Sequence, residues 1–416
     1  MSYTAPAIEA ALAPYSKNAH RKGEITLGPI KALLERLGRP QDRFAPVIHV
    51  AGTNGKGSTV AFIRAMAEAA GLRVHVSTSP HLVRLNERVR LAGELIDDDY
   101  FLDCIERAKR AGEGITLSFF ELTFGAACIA FSEVPADLVI LETGLGGLLD
   151  ASNVVAKPAV AVITPIDLDH QAILGPDIAT IASKKAGIIK ANCPVVSAAQ
   201  QDDAARVLTA RSLDLAAPIT FLRARHFEGL PKRLGLAGIY QRDNAALASL
   251  ALKTWGHDAI TYHAISEGAQ KVIWPARLQQ LKDGPLTRAL GAGEVWLDGG
   301  HNRHAAHAVA KAIAADGGPV TMLVSMMANK DHDDFFEAFR GVVSDIHTVP
   351  LTSTDYGTPP DELADKARAV SEYVTAHGSL NEAVQVIGTE QPQKLLICGS
   401  LYLAGDVLWQ NDEVPV

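Results

Sequence analysis

The chain has 416 residues, more than one hydrophobic core usually holds, so two domains are expected. Hydrophobic residues make up 48% of the chain and charged residues 21%, and the net charge of −8 disfavours a nucleic-acid binder. No apolar run is long enough to span a membrane, no signal-peptide pattern is present, and the four cysteines lack metal-ligand or redox spacing. These features predict a soluble, cytoplasmic protein without a membrane or nucleic-acid partner.

The residues before position 42 are predicted to be helical. An apolar stripe of helical period runs from Ile30 to Leu37, and Gly38 with Pro40 ends it. The stretch before the first strand is too short for a further domain in front of it.

The segment Val47–Thr59 has the composition of a phosphate-binding loop. Its first half is an apolar run suited to a buried strand, its second half is rich in glycine, and Val60–Ala70 is predicted to be a helix. In such an arrangement backbone N–H groups and the positive end of the helix dipole face an anion. Lys56 would reach the terminal phosphates, and Ser58 or Thr59 could place a hydroxyl on magnesium.

The match to the usual P-loop pattern is incomplete. That pattern has Gly or Ala where this chain has Val50, and Ser or Thr directly after the lysine, where this chain has Gly57. The alternative is an ordinary glycine-rich turn, which would not explain the strand and the helix on its two sides.

A polar loop, Ser77–Asn86, follows the predicted strand Arg73–Ser77. Three arginines lie within it or just past it: Arg84, Arg88 and Arg90. Either the loop closes over the phosphate site and its arginines bind a carboxylate or phosphate, or it is a solvated loop with a charged face. This stretch alone favours neither interpretation.

Two helices and a strand come next. The helices are predicted at Phe101–Arg110 and Ser118–Phe131, and the second begins with a serine and a glutamate at the spacing of a capping box. The apolar strand Leu138–Leu141 ends in Glu142. Because ligands of α/β sheets bind at the carboxyl ends of the strands, Glu142 is a candidate magnesium ligand.

The strand Val160–Thr164 leads into the loop Pro165–Gly175, which contains Asp167, Asp169 and His170. The helix Ile178–Lys190 follows. Lysines near a helix end usually complement the helix dipole, so Lys185 on this evidence alone indicates little chemistry.

The rest of the chain restarts an α/β pattern. Gln241–Lys253 is predicted to be a helix with Asn244 near its start, and 284–293 to be a linker between domains 1–283 and 294–416. Alternating strands and helices with short connections predict a mainly parallel sheet. The strands predicted there are Val295–Leu297, Val320–Val324, Ile346–Val349 and Leu395–Cys398, with helices through Ala314 and at Asp333–Phe339.

Several motifs in one order resemble the folylpolyglutamate synthases, in particular the bacterial bifunctional enzymes that are also dihydrofolate synthases. That family belongs to the Mur ligase superfamily. The motifs are His49–Thr59, Thr78–Leu91, Leu141–Val154, Asp169–Lys190, Gln241–Ala248, Trp274–Leu278 and Leu297–Asn302. The resemblance implies an α/β fold with an N-terminal P-loop ATPase-like domain, a mainly parallel sheet, and a smaller Rossmann-like C-terminal domain. The active site is expected between the two.

The resemblance also implies the reaction and its partners. The carboxylate of dihydropteroate or of a reduced folate is joined to the amine of L-glutamate, after ATP has converted the carboxylate to an acyl phosphate. The implied ions are two Mg²⁺, and K⁺ is a further candidate. The enzyme is expected to act as a monomer.

Site residues carry over from the family one by one. Nucleotide contacts are implied for Thr53, Asn54, Gly55, Lys56, Gly57, Ser58, Thr59, Asn244, Arg277, Asp298 and His301. Magnesium contacts are implied for Ser58, Ser79, Glu142, His170 and Lys185, the last as a carbamate formed with carbon dioxide. Residues expected to border the pterin are Ser118, Phe119, Phe120, Glu121, Asp150, Ala151 and Ser152. Catalytic roles are implied for Lys56, His170, Lys185 and Arg277.

The sequence departs from the family pattern at three positions without losing an expected metal or phosphate ligand. Leu148 stands where the glycine turn usually has arginine, Lys184 where glutamate is usual, and Gln171 where threonine is usual. The missing arginine could alter contacts to folate or glutamate.

Other functions account for less of the chain. A cell-wall Mur ligase would need a further N-terminal domain, and a P-loop kinase or GTPase leaves Lys185 and Asp298–Asn302 unexplained. A nucleotide-binding regulator without activity would be expected to lose Glu142, His170 or Lys185. Folylpolyglutamate synthase activity alone, or another amino-acid ligase of the Mur type, stays open.

Overall fold

The computed structural model describes residues 3–16, 25–315 and 317–415. The chain forms two compact units. The N-terminal unit comprises residues 4–235 and 241–273, and the C-terminal unit comprises Tyr3 with residues 236–240 and 274–415. The boundary therefore differs from the predicted linker at 284–293. Residues Pro285–Leu290 are a helix within the C-terminal unit, because Leu286 and Leu290 lie on one helical face and are both buried.

The N-terminal unit is built on a sheet of eight described strands in the order β4-β3-β2-β5-β1-β6-β7-β8. The six strands from β2 to β8 in that order are parallel, and β3 and β4 extend the edge as an antiparallel hairpin. The strands are β1 (Val47–Ala51), β2 (Val74–Ser77), β3 (Val89–Leu91), β4 (Glu94–Leu95), β5 (Leu138–Glu142), β6 (Val160–Ile163), β7 (Val195–Ser197) and β8 (Ile219–Phe221).

Helices cover both faces of this sheet. One face is covered by α3 and α9, with α10 packed against α3, and the other by α5 and α7 with their neighbours. The helices are α1 (Pro6–Ser16), α2 (Gly28–Arg36), α3 (Lys56–Ala69), α4 (Asp98–Ala111), α5 (Phe119–Glu133), α6 (Gln171–Leu174), α7 (Ile178–Lys185), α8 (Asp202–Asp214), α9 (Gln241–Trp255) and α10 (Tyr262–Lys271). Residues 17–24, which the sequence also predicts to be helical, lie outside the described residues.

The central strands place three connecting loops at one edge of the sheet. Strand β1 pairs with β5 and with β6 in parallel, so that Val50 is level with Glu142 and Ala51 with Ile163. Every residue of these three strands is buried, which explains their unbroken apolar runs. The loops that leave their carboxyl ends therefore meet, as is usual for ligand sites in α/β sheets.

The C-terminal unit has a second sheet, in the order β13-β12-β11-β14-β10-β9, with only β9 antiparallel among the described strands. Its strands are β9 (Gln279–Gln280), β10 (Glu294–Leu297), β11 (Val320–Val324), β12 (Val343–Thr348), β13 (Tyr373–Ala376) and β14 (Lys394–Cys398). Its helices are α11 (Pro285–Leu290), α12 (Arg303–Ile313), α13 (His332–Glu337), α14 (Pro360–Ala367), α15 (Leu380–Glu390) and α16 (Leu401–Gln410). The predicted α/β fold with mainly parallel sheets is confirmed. Within the described ranges, no helix combines the length and the apolar character needed to cross a membrane.

Candidate active site

The phosphate loop connects β1 to α3, and α3 begins directly at Lys56. Gly55 caps this helix with a φ of +81°, and a Cβ atom there would lie 2.6 Å from Asn244 Oδ1. Glycine is therefore required at position 55 both by the backbone conformation and by the close approach of a side chain. The Lys56 ammonium group donates to the Thr53 carbonyl oxygen at 3.2 Å. The loop thus presents a lysine and the first N–H groups of a helix, which together suit an anion.

The loop is fixed from one side by the chain that follows β6. Thr53 N–H donates to the Pro165 carbonyl oxygen at 2.9 Å. The Thr53 hydroxyl donates to the Asp167 carbonyl oxygen at 3.0 Å and accepts from Asp167 N–H at 3.1 Å. A Cβ atom on Gly52 would lie 1.8 Å from Thr164 Oγ1, so the two segments are as close as glycine permits. The Thr53 hydroxyl is thereby engaged within the protein, and its nucleotide contact remains a prediction.

The loop is fixed from the other side by the start of α9. Asn244 Nδ2 donates to Gln241 Oε1 at 2.9 Å, and Gln241 Nε2 donates to Ser58 Oγ at 3.3 Å. All three side chains are buried. The structure thus places Asn244 against Gly55 at the phosphate loop, and its predicted contact on the adenine side stays a prediction.

Lys185 is the last residue of α7 and is only 4% exposed. Its Nζ donates to the Gly52 carbonyl oxygen at 2.6 Å, at the base of the phosphate loop. Burial and the positive charge of Lys56 lower the pKa of Lys185 to about 7, while Asp169 and Asp150 act in the opposite direction. A lysine with this pKa is neutral in a substantial fraction of molecules near pH 7, which an exposed lysine is not.

Glu142 and Ser79 lie together at the end of β5. The Glu142 carboxylate, on a residue only 6% exposed, accepts from Ser79 N–H at 3.3 Å. Ser79 Oγ is buried and has no hydrogen-bond partner among the described residues. An unsatisfied hydroxyl beside a buried carboxylate offers two hard oxygen donors, which fits Mg²⁺.

His170 is less enclosed than the other predicted metal ligands. It has a φ of +52°, its side chain is 40% exposed, and its Nε2 lies 3.9 Å from Asp169 Oδ1. In the part of the chain that the structure describes, no three His, Cys, Asp or Glu side chains form a metal-binding cluster. A site that pairs His170 with Lys185 would therefore need a further oxygen donor, and the predicted carbamate would be one.

The loop that follows β2 is held by Glu87. The Glu87 carboxylate accepts from the N–H groups of Leu82, Val83 and Arg84 at 2.8, 2.8 and 2.7 Å. Arg88 Nε donates to His81 Nδ1 at 2.9 Å, and burial lowers the pKa of His81 to about 3, so that this imidazole is uncharged at neutral pH. The loop is thus a connected structure, and Arg88 is one of its internal partners.

The start of α5 confirms the predicted capping box. Ser118 Oγ accepts from Glu121 N–H at 3.2 Å, and the Glu121 carboxylate accepts from both Ser118 N–H and the Ser118 hydroxyl at 2.8 Å. These polar groups therefore serve the helix start, and any pterin contact from them would compete with it. Phe119 and Phe120 are half-buried, and the Arg88 guanidinium lies 5.3 Å from the centre of the Phe119 ring. The two aromatic rings are the better candidates for a contact to a substrate.

Asp150, Ala151 and Ser152, predicted to border the pterin, are buried, at 5%, 6% and 0% exposed. Asp150 accepts from Leu145 N–H at 2.8 Å and from the Ser152 hydroxyl at 2.5 Å. Because Ser152 donates there, it accepts from His49 Nε2, 2.9 Å away. Burial lowers the pKa of His49 to about 3 and raises the pKa of Asp150. The polar side chains of this segment therefore hold the glycine turn in place.

The C-terminal unit gathers a second group of predicted residues. Asp298 is 3% exposed and accepts from Leu278 N–H at 2.8 Å and Gly300 N–H at 2.6 Å. Burial raises the pKa of Asp298, against the nearby charge of Arg277. His301 Nδ1 lies 3.0 Å from the Gly299 carbonyl oxygen. Arg277 and Asp298, 21 positions apart in the chain, are thus brought together, and their contacts to a nucleotide stay a prediction.

Comparison with known proteins assigns the family. The family model of the Mur ligase glutamate ligase domain matches residues 286–401. The dihydrofolate synthase/folylpolyglutamate synthase of Bacillus subtilis is 33% identical over 417 residues, covering 92% of this chain and 94% of that protein. The chain belongs to the dihydrofolate synthase/folylpolyglutamate synthase family. The predicted family and its class, ATP-dependent ligases, are thereby confirmed.

Solved structures of this family agree with the fold. Escherichia coli FolC in complex with DHPP and ADP superposes with a TM-score of 0.86 at 28% identity, covering 99% of both chains. The bifunctional enzyme of Yersinia pestis, complexed with AMPPNP and a Mn ion, gives a TM-score of 0.83 at 27% identity and covers 98% of both chains. The prediction of a nucleotide-binding Mur ligase architecture therefore holds over nearly the whole length.

Several residues of the site were not predicted from the sequence. Gln241 and Asp167 bind groups 183 and 114 positions away, so their contacts leave no local pattern. Glu87 binds backbone N–H groups three to five positions before it, at the start of a 3₁₀ turn that was not predicted. His49 carries a visible signal, because it is the only polar residue in the apolar strand Val47–Ala51. A polar residue at such a position must find a buried partner, and Ser152 is that partner.

Proposed function

We propose that the protein joins the carboxylate of dihydropteroate, and also that of reduced folates, to the amine of L-glutamate through an acyl phosphate made from ATP. The phosphate loop, where Lys56 opens a 14-residue helix beside the buried Lys185, carries this proposal. Family membership over 92% of the chain supports the ligase class, and relatives that are named for both activities support the two acceptors.

The chemistry explains why a phosphate loop is needed. A carboxylate is a poor electrophile at neutral pH, so one of its oxygens first attacks the terminal phosphorus of ATP and ADP leaves. The neutral amine of glutamate then attacks the acyl carbon and loses a proton, and the carbon–oxygen bond to phosphate breaks. Lys56 and the N-terminal N–H groups of α3 stabilise the negative charge that develops on the transferred phosphoryl group.

Magnesium is assigned to the oxygen donors around the loop. Ser58, Ser79 and Glu142 would hold one ion, and the observation that favours this set is the buried Ser79 hydroxyl, which has no partner among the described residues. A bound Mg²⁺ neutralises phosphate charge and fixes the geometry of the phosphoryl group. His170 and Lys185 are assigned to a second ion, and K⁺ remains a candidate from the family alone.

Lys185 is assigned as a carbamate. A neutral amine adds to carbon dioxide, forms a nitrogen–carbon bond and releases a proton, which leaves an anionic oxygen ligand on the side chain. Two features support this assignment: burial of Lys185, and its pKa of about 7, which supplies the neutral amine that the addition needs. An ammonium group at the same place would repel a metal ion.

The remaining assignments follow the family resemblance. Asn244, Arg277, Asp298 and His301 are assigned to the nucleotide, with Arg277 on its terminal phosphates. Phe119 and Phe120 are assigned to the pterin, because they are the half-buried members of the predicted set. A cytoplasmic, monomeric enzyme stays a prediction from the sequence.

Phosphate release tests this function directly. Purified protein is given ATP, magnesium and L-glutamate, with dihydropteroate in one reaction and tetrahydrofolate in the other. We expect release above background in both reactions and none when glutamate is omitted. If phosphate is released with tetrahydrofolate but not with dihydropteroate, the protein lacks dihydrofolate synthase activity. Leu148 is then the first residue to exchange. Release with L-alanine in place of L-glutamate would favour another amino-acid ligase of the Mur type.

A further inference from the structure

Gln241 is an uncharged polar residue at the start of α9 with no exposed surface. Its side-chain amide is satisfied at both ends, since Nε2 donates to Ser58 Oγ at 3.3 Å and Oε1 accepts from Asn244 Nδ2 at 2.9 Å. A buried amide that lost either partner would cost stability, so the two contacts fix one another.

The two hydrogen bonds give this amide a direction. Asn244 Oδ1 is turned toward Gly55, and Asn244 Nδ2 donates to Gln241 Oε1. With its oxygen accepting from Asn244, Gln241 turns its NH₂ group to Ser58. The result is a directed chain of two hydrogen bonds from the helix cap of α3 to the first turn of the same helix.

This direction has a consequence for the Ser58 hydroxyl. A serine hydroxyl has one proton and two lone pairs, and Gln241 occupies one lone pair as a donor. The hydroxyl proton cannot point at a donor, so the proton and the second lone pair of Ser58 are both directed away from α9. Ser58 stands two residues after Lys56, in the turn of α3 that faces the expected phosphates.

We infer that Gln241 is a positioning residue that orients the Ser58 hydroxyl toward the magnesium ion of the bound nucleotide. The inference rests on the proposed function, because it requires a Mg²⁺–nucleotide complex at the phosphate loop. Gln241 itself is assigned no contact to the nucleotide. Gln241 also holds Asn244, which is assigned to the nucleotide, so its effect on Ser58 is measured by the part of nucleotide affinity that depends on Mg²⁺.

The dissociation constant of ADP, measured by calorimetry with Mg²⁺ and again with EDTA, tests this inference. In the parent protein we expect tighter binding with Mg²⁺. Gln241→Met keeps the volume and the burial but cannot donate to Ser58. We expect the ratio of the dissociation constant in EDTA to the dissociation constant with Mg²⁺ to fall about 3- to 10-fold in this variant. Where Gln241→Met does not fold in a thermal melt, the smaller Gln241→Ala takes its place.

A matched pair elsewhere in the unit provides the control. Gln270 Nε2 donates to Ser266 Oγ at 3.2 Å on α10, which is the same pair of groups in an exposed position. Gln270→Met should leave both dissociation constants unchanged. In the background Ser58→Ala, Gln241→Met should cause no further loss of the Mg²⁺-dependent gain, because the group it orients is absent.

The outcomes separate this inference from the proposed function. A parent protein that binds ADP no better with Mg²⁺ than with EDTA contradicts the proposed magnesium site, and with it the role of Gln241. If the parent protein binds ADP more tightly with Mg²⁺ and the Gln241→Met variant keeps this difference, the inference about Gln241 is wrong and the proposed magnesium site stands. An equal loss of affinity with Mg²⁺ and with EDTA also overturns it, since a residue that only supports the core would behave in that way.

Discussion

Lys185 Nζ and the Gly52 carbonyl oxygen are joined by a hydrogen bond of 2.6 Å that ties the end of α7 to the base of the phosphate loop. A carbamate on Lys185 would keep one N–H group on Nζ, so this contact is compatible with the modification. Lys185 could therefore act both by holding the phosphate loop and by forming a carbamate. A substitution that keeps the hydrogen bond but prevents the carbamate distinguishes these two roles.

Lys185→Arg is that substitution. Arginine keeps a positive charge and N–H donors but forms no such carbamate, so we expect a folded protein that binds ADP and loses ligase activity by about 100-fold or more. Lys184→Arg, one position earlier, is the control and should be nearly silent. Removal of carbon dioxide should slow the parent protein and leave the residual rate of Lys185→Arg unchanged. A fully active Lys185→Arg enzyme would exclude the carbamate from the mechanism.

The low pKa of Lys185 predicts a pH dependence of stability. The pKa in the folded protein is about 7, below the 10.5 of a free lysine, so from pH 7 to 10 the unfolded chain binds more protons than the folded one. Stability therefore rises with pH in that window, by up to about 1.4 kcal/mol per pH unit, and the contribution of this residue is constant below pH 7. Lys185→Gln removes the titrating group, so its free energy of unfolding should lack this rise.

Urea unfolding of both proteins at pH 6, 7, 8 and 9, in buffer free of carbon dioxide, measures the difference. We expect the free energy of unfolding of the parent protein to increase relative to that of Lys185→Gln at each step above pH 7. Parallel curves across all four values would mean that the folded protein leaves the pKa of Lys185 near that of a free lysine.

Lys56→Ala tests the phosphate loop. The contact made by the Lys56 ammonium group to the Thr53 carbonyl oxygen lies within the loop, so its loss should leave the melting temperature nearly unchanged. We expect ATP turnover to fall by about 100-fold or more, because a charge at the transferred phosphoryl group is lost. Lys157→Ala, at an exposed position of the same unit, is the control. Turnover within a few-fold of the parent protein would contradict the assignment of Lys56.

The sheets could be predicted from the sequence because parallel strands that are buried on both faces consist of consecutive apolar residues. Strands β1, β5 and β11 are buried at every residue. The bounds predicted for β5 and β11 are within one residue of those observed, and β1 lies in the first half of Val47–Thr59, as predicted. Strand β13 was missed, since Tyr373 and Thr375 of this edge strand are exposed and break the apolar pattern. The helix Ile178–Lys190 was predicted too long, because α7 ends at Lys185 and the chain tightens into a 3₁₀ turn.

The site was predictable where a residue follows a strand or opens a helix. Glu142 and Lys56 are of this kind, and the structure places both at the expected edge of the sheet. Asp150 and Ser152 were assigned outward roles by resemblance, whereas their hydrogen bonds turn inward to Leu145 and His49. His49 and Ser152 lie 103 positions apart in the chain, so that no local pattern indicates this pair.

Gly55→Ala separates the two reasons for a glycine in the phosphate loop. Gly55 and Gly71 flank α3 with φ values of +81° and +80°. A Cβ atom on Gly55 would meet Asn244 Oδ1 at 2.6 Å, whereas one on Gly71 would meet no atom of the described residues within 4 Å. Gly71→Ala should therefore cost only the backbone strain, about 1 kcal/mol in the free energy of unfolding. Gly55→Ala must also displace Asn244, so we expect a larger cost and a loss of ADP affinity of at least about tenfold. Equal stability of the two variants in urea, with unchanged ADP binding, would show that Asn244 moves freely and does not support the loop.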